Sequence, residues 1–516
     1  MTHRLTHCGL VMLLLSLGVC PGAAGAADPV PPVLARPPQA DVIPAPEPCD
    51  RALPITLQAA LQLAGVAPLD IGLAAARVRV AVAQLDQSRY LWLPSIQVGV
   101  DYFRHDGQIQ DIRGYVFPTS RSAIMAGAGP NLVFATSDAV FGPLARLQGV
   151  RAGEARLQAA QNDALMAVAE AYFDVQQARG ELVGALAVAY KADELVDRAT
   201  KLAETLVPPV EVVRARTERA RRRQQVERAR ERWRTASAEL VRLLRLDPAA
   251  VVEPAEPPHL LVTLVQPGQK LDDLVAIALL HRPELAAQKA LVQATLYQLR
   301  QEKLRPLMPS VLIRGAATNP AGTLAGGVFG GGVNSQIGNF AARNSVDVQV
   351  LWEVQNLGLG NLARVRERRA ENDQATLELF RTQDRVAAET VRAHAEVQAA
   401  ARRVVDAEEG LRDAADSVQK NFEGLRQTRT AGTVILLVIR PQEAVASVQA
   451  LAQAYTDFYQ AVGDYDRAQF RLYRALGQPA HLLGAGGILA EQEGNHKDHE
   501  EHKEREEKRE ERTIRE

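Results

Sequence analysis

The sequence predicts a mostly α-helical fold with a small β part, laid out as two similar halves of helices, a strand pair and a long helical hairpin. Three observations carry this expectation. Across Leu91-Trp-Leu-Pro-Ser-Ile-Gln-Val-Gly-Val-Asp-Tyr102, helical spacing of Ala74, Val78, Val82 and Leu85 gives way after Pro94 to alternation of Ile96, Val98, Val100 and Tyr102 with Ser95, Gln97, Gly99 and Asp101. The junction recurs at Leu307-Met-Pro-Ser-Val-Leu-Ile-Arg314, where an offset of 215 lays Ile96 on Val311 and Val98 on Ile313. Pro68 precedes Pro94 by 26 positions, as Pro283 precedes Pro309. Finally, the run from Leu144 to Thr205 has no proline and is long enough for a helix of roughly 90 Å at ~1.5 Å per residue.

In order, residues 1–26 read as a secretory signal: Arg4, an apolar run from Leu10 to Val19, and Ala24-Gly25-Ala26 before the expected cleavage. Leu17-Gly-Val-Cys20 loosely resembles a lipoprotein cleavage box, with Val19 where a small residue is wanted. Once Cys8 and Cys20 leave, Cys49 alone remains, which excludes an intrachain disulfide and a multi-cysteine metal site. Residues 27–54 are a Pro-rich linker without a core-forming pattern.

The first repeat, 55–250, opens on a helix capped by Thr56, breaks at Pro68 and resumes to about Leu91. A strand pair at about 95–141 follows: a strand from Ser95 to Arg104, a polar connection, and a return through Leu132-Val-Phe-Ala135. Pro143 is expected at the first turn of the long helix, Pro208-Pro209 reverses the chain, and a helix runs from Glu211 to Leu246. Residues 251–269 form a second linker. The second repeat, 270–481, restates the order: a helix from Leu271, a break near Pro283, a helix to Arg305, a strand pair at about 310–354 joined by a flexible glycine-rich loop from Gly322 to Gly338, and helices from Leu362 to Gln427 and on to Leu476. The tail, 482–516, is charged, poor in apolar residues and expected to be disordered.

After the signal, no run approaches the eighteen or so apolar residues of a membrane helix. Strands remain as the way to cross a bilayer, and four per chain cannot close a barrel, so a membrane location requires other copies. In that setting Ile96, Val98, Val100, Tyr102, Val346, Val348, Val350 and Trp352 are expected to face lipid. Gln97, Asp101, Asp347 and Gln349 are expected to face a water-filled lumen.

The duplicated order, the signal and the proline-to-strand junctions resemble the outer membrane efflux protein family of the TolC type, over about residues 55–480. The resemblance implies a homotrimer in the outer membrane, with a twelve-stranded transmembrane β-barrel and long hairpins forming a periplasmic α-barrel. It also implies partnership with a periplasmic membrane-fusion adaptor and an inner-membrane pump. Gly432-Thr433 matches the family's second hairpin turn; at the first turn Leu206 and Glu211-Val212 match, while Thr205 replaces a glycine and Pro208 and Pro209 replace ordinary residues. Where some members carry charged gate residues, this chain has Val434, Val438 and Pro441, so the gate is expected to close by packing. The function so implied is passive export in a tripartite efflux or type I secretion system; the alternative is a periplasmic coiled-coil scaffold or adaptor without a pore.

Charge and motifs narrow the field. Lys and Arg number 60 against 61 Asp and Glu, so no global field points to nucleic acid. The ten arginines and three glutamates from Arg214 to Arg234 are read as a solvated or lumen-facing helix face. The glycines at 326–332 lack the Lys-Ser/Thr of a phosphate loop. No nucleophile, base and orienting group stand at recognisable spacing, and neither an enzyme, a metal site nor a cofactor is expected.

Overall fold

The computed structural model describes residues 51–477, apart from 66–67, 205, 267, 315–325, 334–335, 345, 432–433 and 438. The signal, the three cysteines and the tail lie outside the described residues. In chain order the elements are β1 (Arg51–Ile55), α1 (Leu57–Ala64), α2 (Leu69–Arg89), β2 (Ser95–Gln110), β3 (Val116–Ala135), α3 (Thr136–Leu202), α4 (Pro209–Leu244) and β4 (Ala250–Pro254). There follow α5 (Leu271–His281), α6 (Pro283–Leu304), β5 (Ser310–Arg314), β6 (Gly326–Val333), β7 (Asn339–Asn344), β8 (Asp347–Leu351), α7 (Leu359–Gly424), β9 (Thr428–Ala431), β10 (Val434–Leu437) and α8 (Pro441–Ala475).

Several local expectations hold. Thr56 caps α1, its hydroxyl accepting from the amide of Ala59 at 3.1 Å; α5 starts at Leu271, α6 has Pro283 at its first turn, and β5 starts at Ser310. Others need correction. Arg51–Ile55 is a strand, paired in parallel with Ala250–Pro254, so part of each supposed linker is ordered. The reason is burial: Ile55, Val251 and Val252 reach the core, and the indole of Trp233 donates to the carbonyl of Val252 at 2.9 Å. The second linker is also strapped down, with the amides of Val262 and Val265 donating to Asp466 and Gln469 of α8 at 2.8 and 2.9 Å.

The long helix begins at Thr136, ahead of Pro143, because its first turn is anchored from outside. Asp138 accepts from Gln301 at 2.8 Å and from Arg305 at 2.7 Å, and its charge suits a helix start. Pro143 then sits inside the helix, at its eighth residue, where it forgoes the main-chain bond to the carbonyl four residues back. Leu57–Trp92 is apolar enough over an 18-residue window to pass as a membrane span. It is, however, two helices, and α1 buries Leu57, Ala60, Leu61 and Ala64 in the core.

Helices α3 and α7, at 67 and 66 residues, are each about 100 Å long at ~1.5 Å per residue and set the molecule's axis. Beside the sheet the helix order across the layer is α2, α3, α6, α7; toward the far end it is α4, α3, α8, α7. The central α3–α8 seam is close because glycine permits it. A Cβ at Gly180 would stand 2.3 Å from the Tyr459 ring, and one at Gly184 would stand 2.6 Å from Cβ of Tyr455. The two tyrosine rings stack with centroids 6.4 Å apart, and both side chains are buried.

Candidate functional site

At one end of the helices lies an antiparallel sheet. β2 pairs with β3 from Ser95↔Asn131 to Gln110↔Val116. The other side of β3 is met by β5 at 131–135 and by β6 at 121–128, so these two are consecutive pieces of one lane. β8 and β7 continue one another in the same way along β5 and β6. Six strands thus make the four lanes that the sequence predicts. Both strands of the first hairpin are longer than expected, since the polar residues from His105 to Gln110 keep the ladder going.

The glycine-rich stretch, expected to be a loop, is largely strand. Glycine is what lets it pair closely: a Cβ at Gly330 would stand 2.4 Å from the Phe340 ring, and one at Gly327 (φ +155°) would stand 2.2 Å from the carbonyl oxygen of Ala126. The strand covers Gly326–Val333; residues 322–325 and 334–335, also in that expected loop, lie outside the described residues.

The register sorts the faces. Ile96, Val98, Val100 and Tyr102 are opposite Pro130, Ala128, Ala126 and Ile124; beyond them Leu132 and Phe134 are opposite Ile313 and Val311, which are opposite Val348 and Val350. All stand on one face, and Val98, at 79% exposure, is almost bare. Val346 and Trp352 are exposed beside β8. Asp101, Met125, Leu312 and Gln349 belong to the opposite face, where the register also puts positions 97 and 347. The apolar face has ends. Past Tyr102 it carries Arg104, paired with Asp106, which also accepts from Ser120. The register sets Phe340 level with Tyr102, through Gly330 and Ile124. At the other end Tyr90, Trp92 and Trp352 are exposed.

At the far end of the helices, Leu206 and Val207 close the first hairpin by donating to the carbonyl of Leu202 at 2.8 and 3.1 Å. Pro208 is extended (φ −63°, ψ 145°) and Pro209 opens α4. The Glu211 side chain, 12% exposed, is turned onto its own helix start, where it pairs with Arg214 at 2.6 Å. At the second hairpin α7 stops at Gly424, where the missing Cβ leaves room for Ile439, and β9 pairs with β10 from Val434↔Ala431 to Leu437↔Thr428. The run Val434-Ile-Leu-Leu-Val-Ile439 was the sequence signal for this ladder. Gly432, Thr433 and Val438 lie outside the described residues.

Sequence reasoning also missed the apolar positions Ile124, Ala126 and Ala128 of β3. Their alternation is diluted by glycine and alanine, and the pairing with β2 exposes it. Among the described residues there is no cluster of three or more His, Cys, Asp or Glu able to hold a metal ion.

No protein-family model matches the chain, and no curated protein matches it in sequence. Solved structures do match its fold. The outer-membrane channel OprN superposes with a TM-score of 0.66 at 19% identity, over 82% of this chain and 90% of that one. The CmeC outer membrane channel of Campylobacter jejuni gives 0.65 at 15% identity, over 82% and 85%. The open state of the MtrE outer membrane channel of Neisseria gonorrhoeae gives 0.63 at 16% identity, over 87% and 98%. At such identities the likeness is one of fold, and this chain has the fold of these channels.

Proposed function

We propose that this chain is an outer-membrane channel, a passive export conduit of a tripartite efflux or type I secretion system. Three copies would each supply four strand lanes to a twelve-stranded barrel, with the helices projecting through the periplasm toward a membrane-fusion adaptor and an inner-membrane pump. The observation that carries this reading is the sheet: one face is a continuous apolar surface, most exposed along β2 and β8 and bounded by aromatic residues, and the β2 and β8/β7 edges have no strand beside them among the described residues. Such a face suits hydrocarbon, and such edges are not tolerated there unless other copies pair with them.

In this reading Ile96, Val98, Val100, Tyr102, Val346, Val348, Val350 and Trp352 face lipid, and Gln97, Asp101, Asp347 and Gln349 face the lumen. The periplasmic mouth lies at Leu206 to Glu211 and at Gly432 to Val438. The chain performs no chemistry; energy for transport comes from the pump. Fractionation and planar-bilayer recording test it. The protein is expected in the outer membrane, as a cross-linkable trimer giving discrete current steps, and a soluble periplasmic monomer without conductance would refute it.

A further inference from the structure

We propose that copies of this chain join head to tail along one seam, with α2 and α4 of one copy against α7 of the next, apolar beside the sheet and ionic toward the tip. The inference rests on the ring-forming reading above and adds the chemistry of its joint.

The two flanks of the helix layer are α2 with α4 on one side and α7 on the other. Each turns a distinct stripe away from its own neighbour. On α4 the seam against α3 includes Val212, Val226 and Trp233; two residues on, about 200° around the helix, stand Arg214, Arg221 and Arg228, one every seven residues and all exposed. On α7 the buried seam is Val404, Leu411 and Val418, and the opposite stripe is Asp406, Glu409, Asp413, Asp416, Lys420 and Glu423, again exposed. Lys420 pairs with Asp416 inside this stripe, which sets five carboxylates against that one cation.

The stripes lie at the same height. Arg223 reaches Asp193 of α3 at 2.8 Å, and five residues farther along α3, Arg198 donates to the carbonyl of Phe422 of α7 at 2.6 Å. Because α3 and α7 run in the same direction and α4 runs back, Arg221 stands level with about residue 419, Arg214 with about 426 and Arg228 with about 412, each within a helical turn of Asp416, Glu423 and Asp413 respectively. A rotation about an axis along the bundle keeps every residue at its height. Head-to-tail closure therefore brings the basic stripe of one copy to the acidic stripe of the next.

Nearer the sheet both flanks expose apolar side chains among their charges. α2 exposes Leu73 and Val80, while α7 exposes Leu377 and Phe380. The heights again agree. Val78 lies against Gly153 of α3; Asp138 of α3 meets Gln301 of α6, and thirteen residues back along α6, Gln288 meets the carbonyl of Ala375 of α7. Val78 is thus level with about Leu377 and Val80 with about Ala375, within a turn of Leu377. The chain path adds continuity: β2, one open edge of the sheet, follows α2, and β8, in the other edge lane, leads into α7. One rotation closes both layers.

Charge reversal and cross-linking test this on the full-length protein in detergent. Arg214→Glu/Arg221→Glu/Arg228→Glu, and separately Glu409→Lys/Asp413→Lys/Asp416→Lys, should each lower the ratio of ring to single chain by about tenfold or more, while a chain carrying both sets should return to within about threefold of the parent. In a Cys49→Ser background, Arg221→Cys/Asp416→Cys and Val80→Cys/Leu377→Cys should each give, with a short bismaleimide, a ladder that ends at the closed ring. These cross-links read the joint even if a reversed chain fails to fold. A parent that forms rings, without either cross-link and without rescue by the double set, would overturn the seam and leave the channel reading standing. A parent that forms no rings would overturn both.

Discussion

Arginine placed along the apolar face should report depth in a membrane, and the register sets the scale. From Trp92 to Tyr102 is ten residue steps, about 33 Å along a strand at ~3.3 Å per step, or about 25 Å of thickness at a tilt of ~40°. Val98, six steps from Trp92 and four from Tyr102, is near the centre. Val98→Arg should therefore cost about 2–4 kcal/mol per chain. Gln97→Arg, at the same depth on the other face, should cost little and alter conductance. The assay is equilibrium guanidinium unfolding from phospholipid vesicles, followed by tryptophan fluorescence. Equal costs at 97 and 98 would refute a membrane-facing sheet with this register.

Other predictions follow from packing and charge. Gly184→Ala should lower the melting temperature, because overlap with Tyr455 costs about 1–3 kcal/mol and outweighs the ~1 kcal/mol gain in helix propensity; Gly149→Ala, with no atom within 4 Å of the new Cβ, should raise it, both read by circular dichroism. Burial holds the Asp466 carboxyl well above the usual carboxylate range. The folded chain then binds that proton more tightly than the unfolded one, so this contribution is full below about pH 4 and is lost as pH rises from there. Asp466→Asn should consequently gain in melting temperature over the parent between pH 4 and 7, and a flat difference would contradict this. Val438→Asp should give the channel a sensitivity to pH and divalent cations that the parent lacks in bilayer recordings, as three carboxylates crowd one axis.

The long elements were legible because their signals are local and repeated. Helical spacing, a proline at each helix-to-strand junction and a period of two on β2 and β8 point to the observed elements without tertiary information. What was missed depends on partners distant in the chain. Arg51–Ile55 carries a proline and spans five residues, and it becomes a strand only because Ala250–Pro254, some two hundred positions later, lies beside it. The glycines of β6 have no side-chain pattern to read, and the cause of their strand state, the close approach of β3 and Phe340, belongs to the fold.

The arginines of α4 show where sequence reading reaches its limit. Their spacing gave a charged helix face but not its direction, so solvent and lumen were equal destinations. The structure divides them. Arg223 and Arg232 turn toward α3 and pair with Asp193 and Glu181, at 2.8 and 2.7 Å, as intrachain ties. Arg214, Arg221 and Arg228 turn away, onto the flank. Arg214 and Arg221 have acidic contacts within their own helix, at 2.6 and 3.9 Å, to the largely buried Glu211 and Glu218, yet both arginine side chains stay more than half exposed and open to a neighbour. The buried seam of Val212, Val226 and Trp233 is what anchors α4 to its neighbours, so the outer charge is not what holds the helix in place. Seven-residue spacing keeps that charge on a single line along the helix, as binding a parallel surface requires.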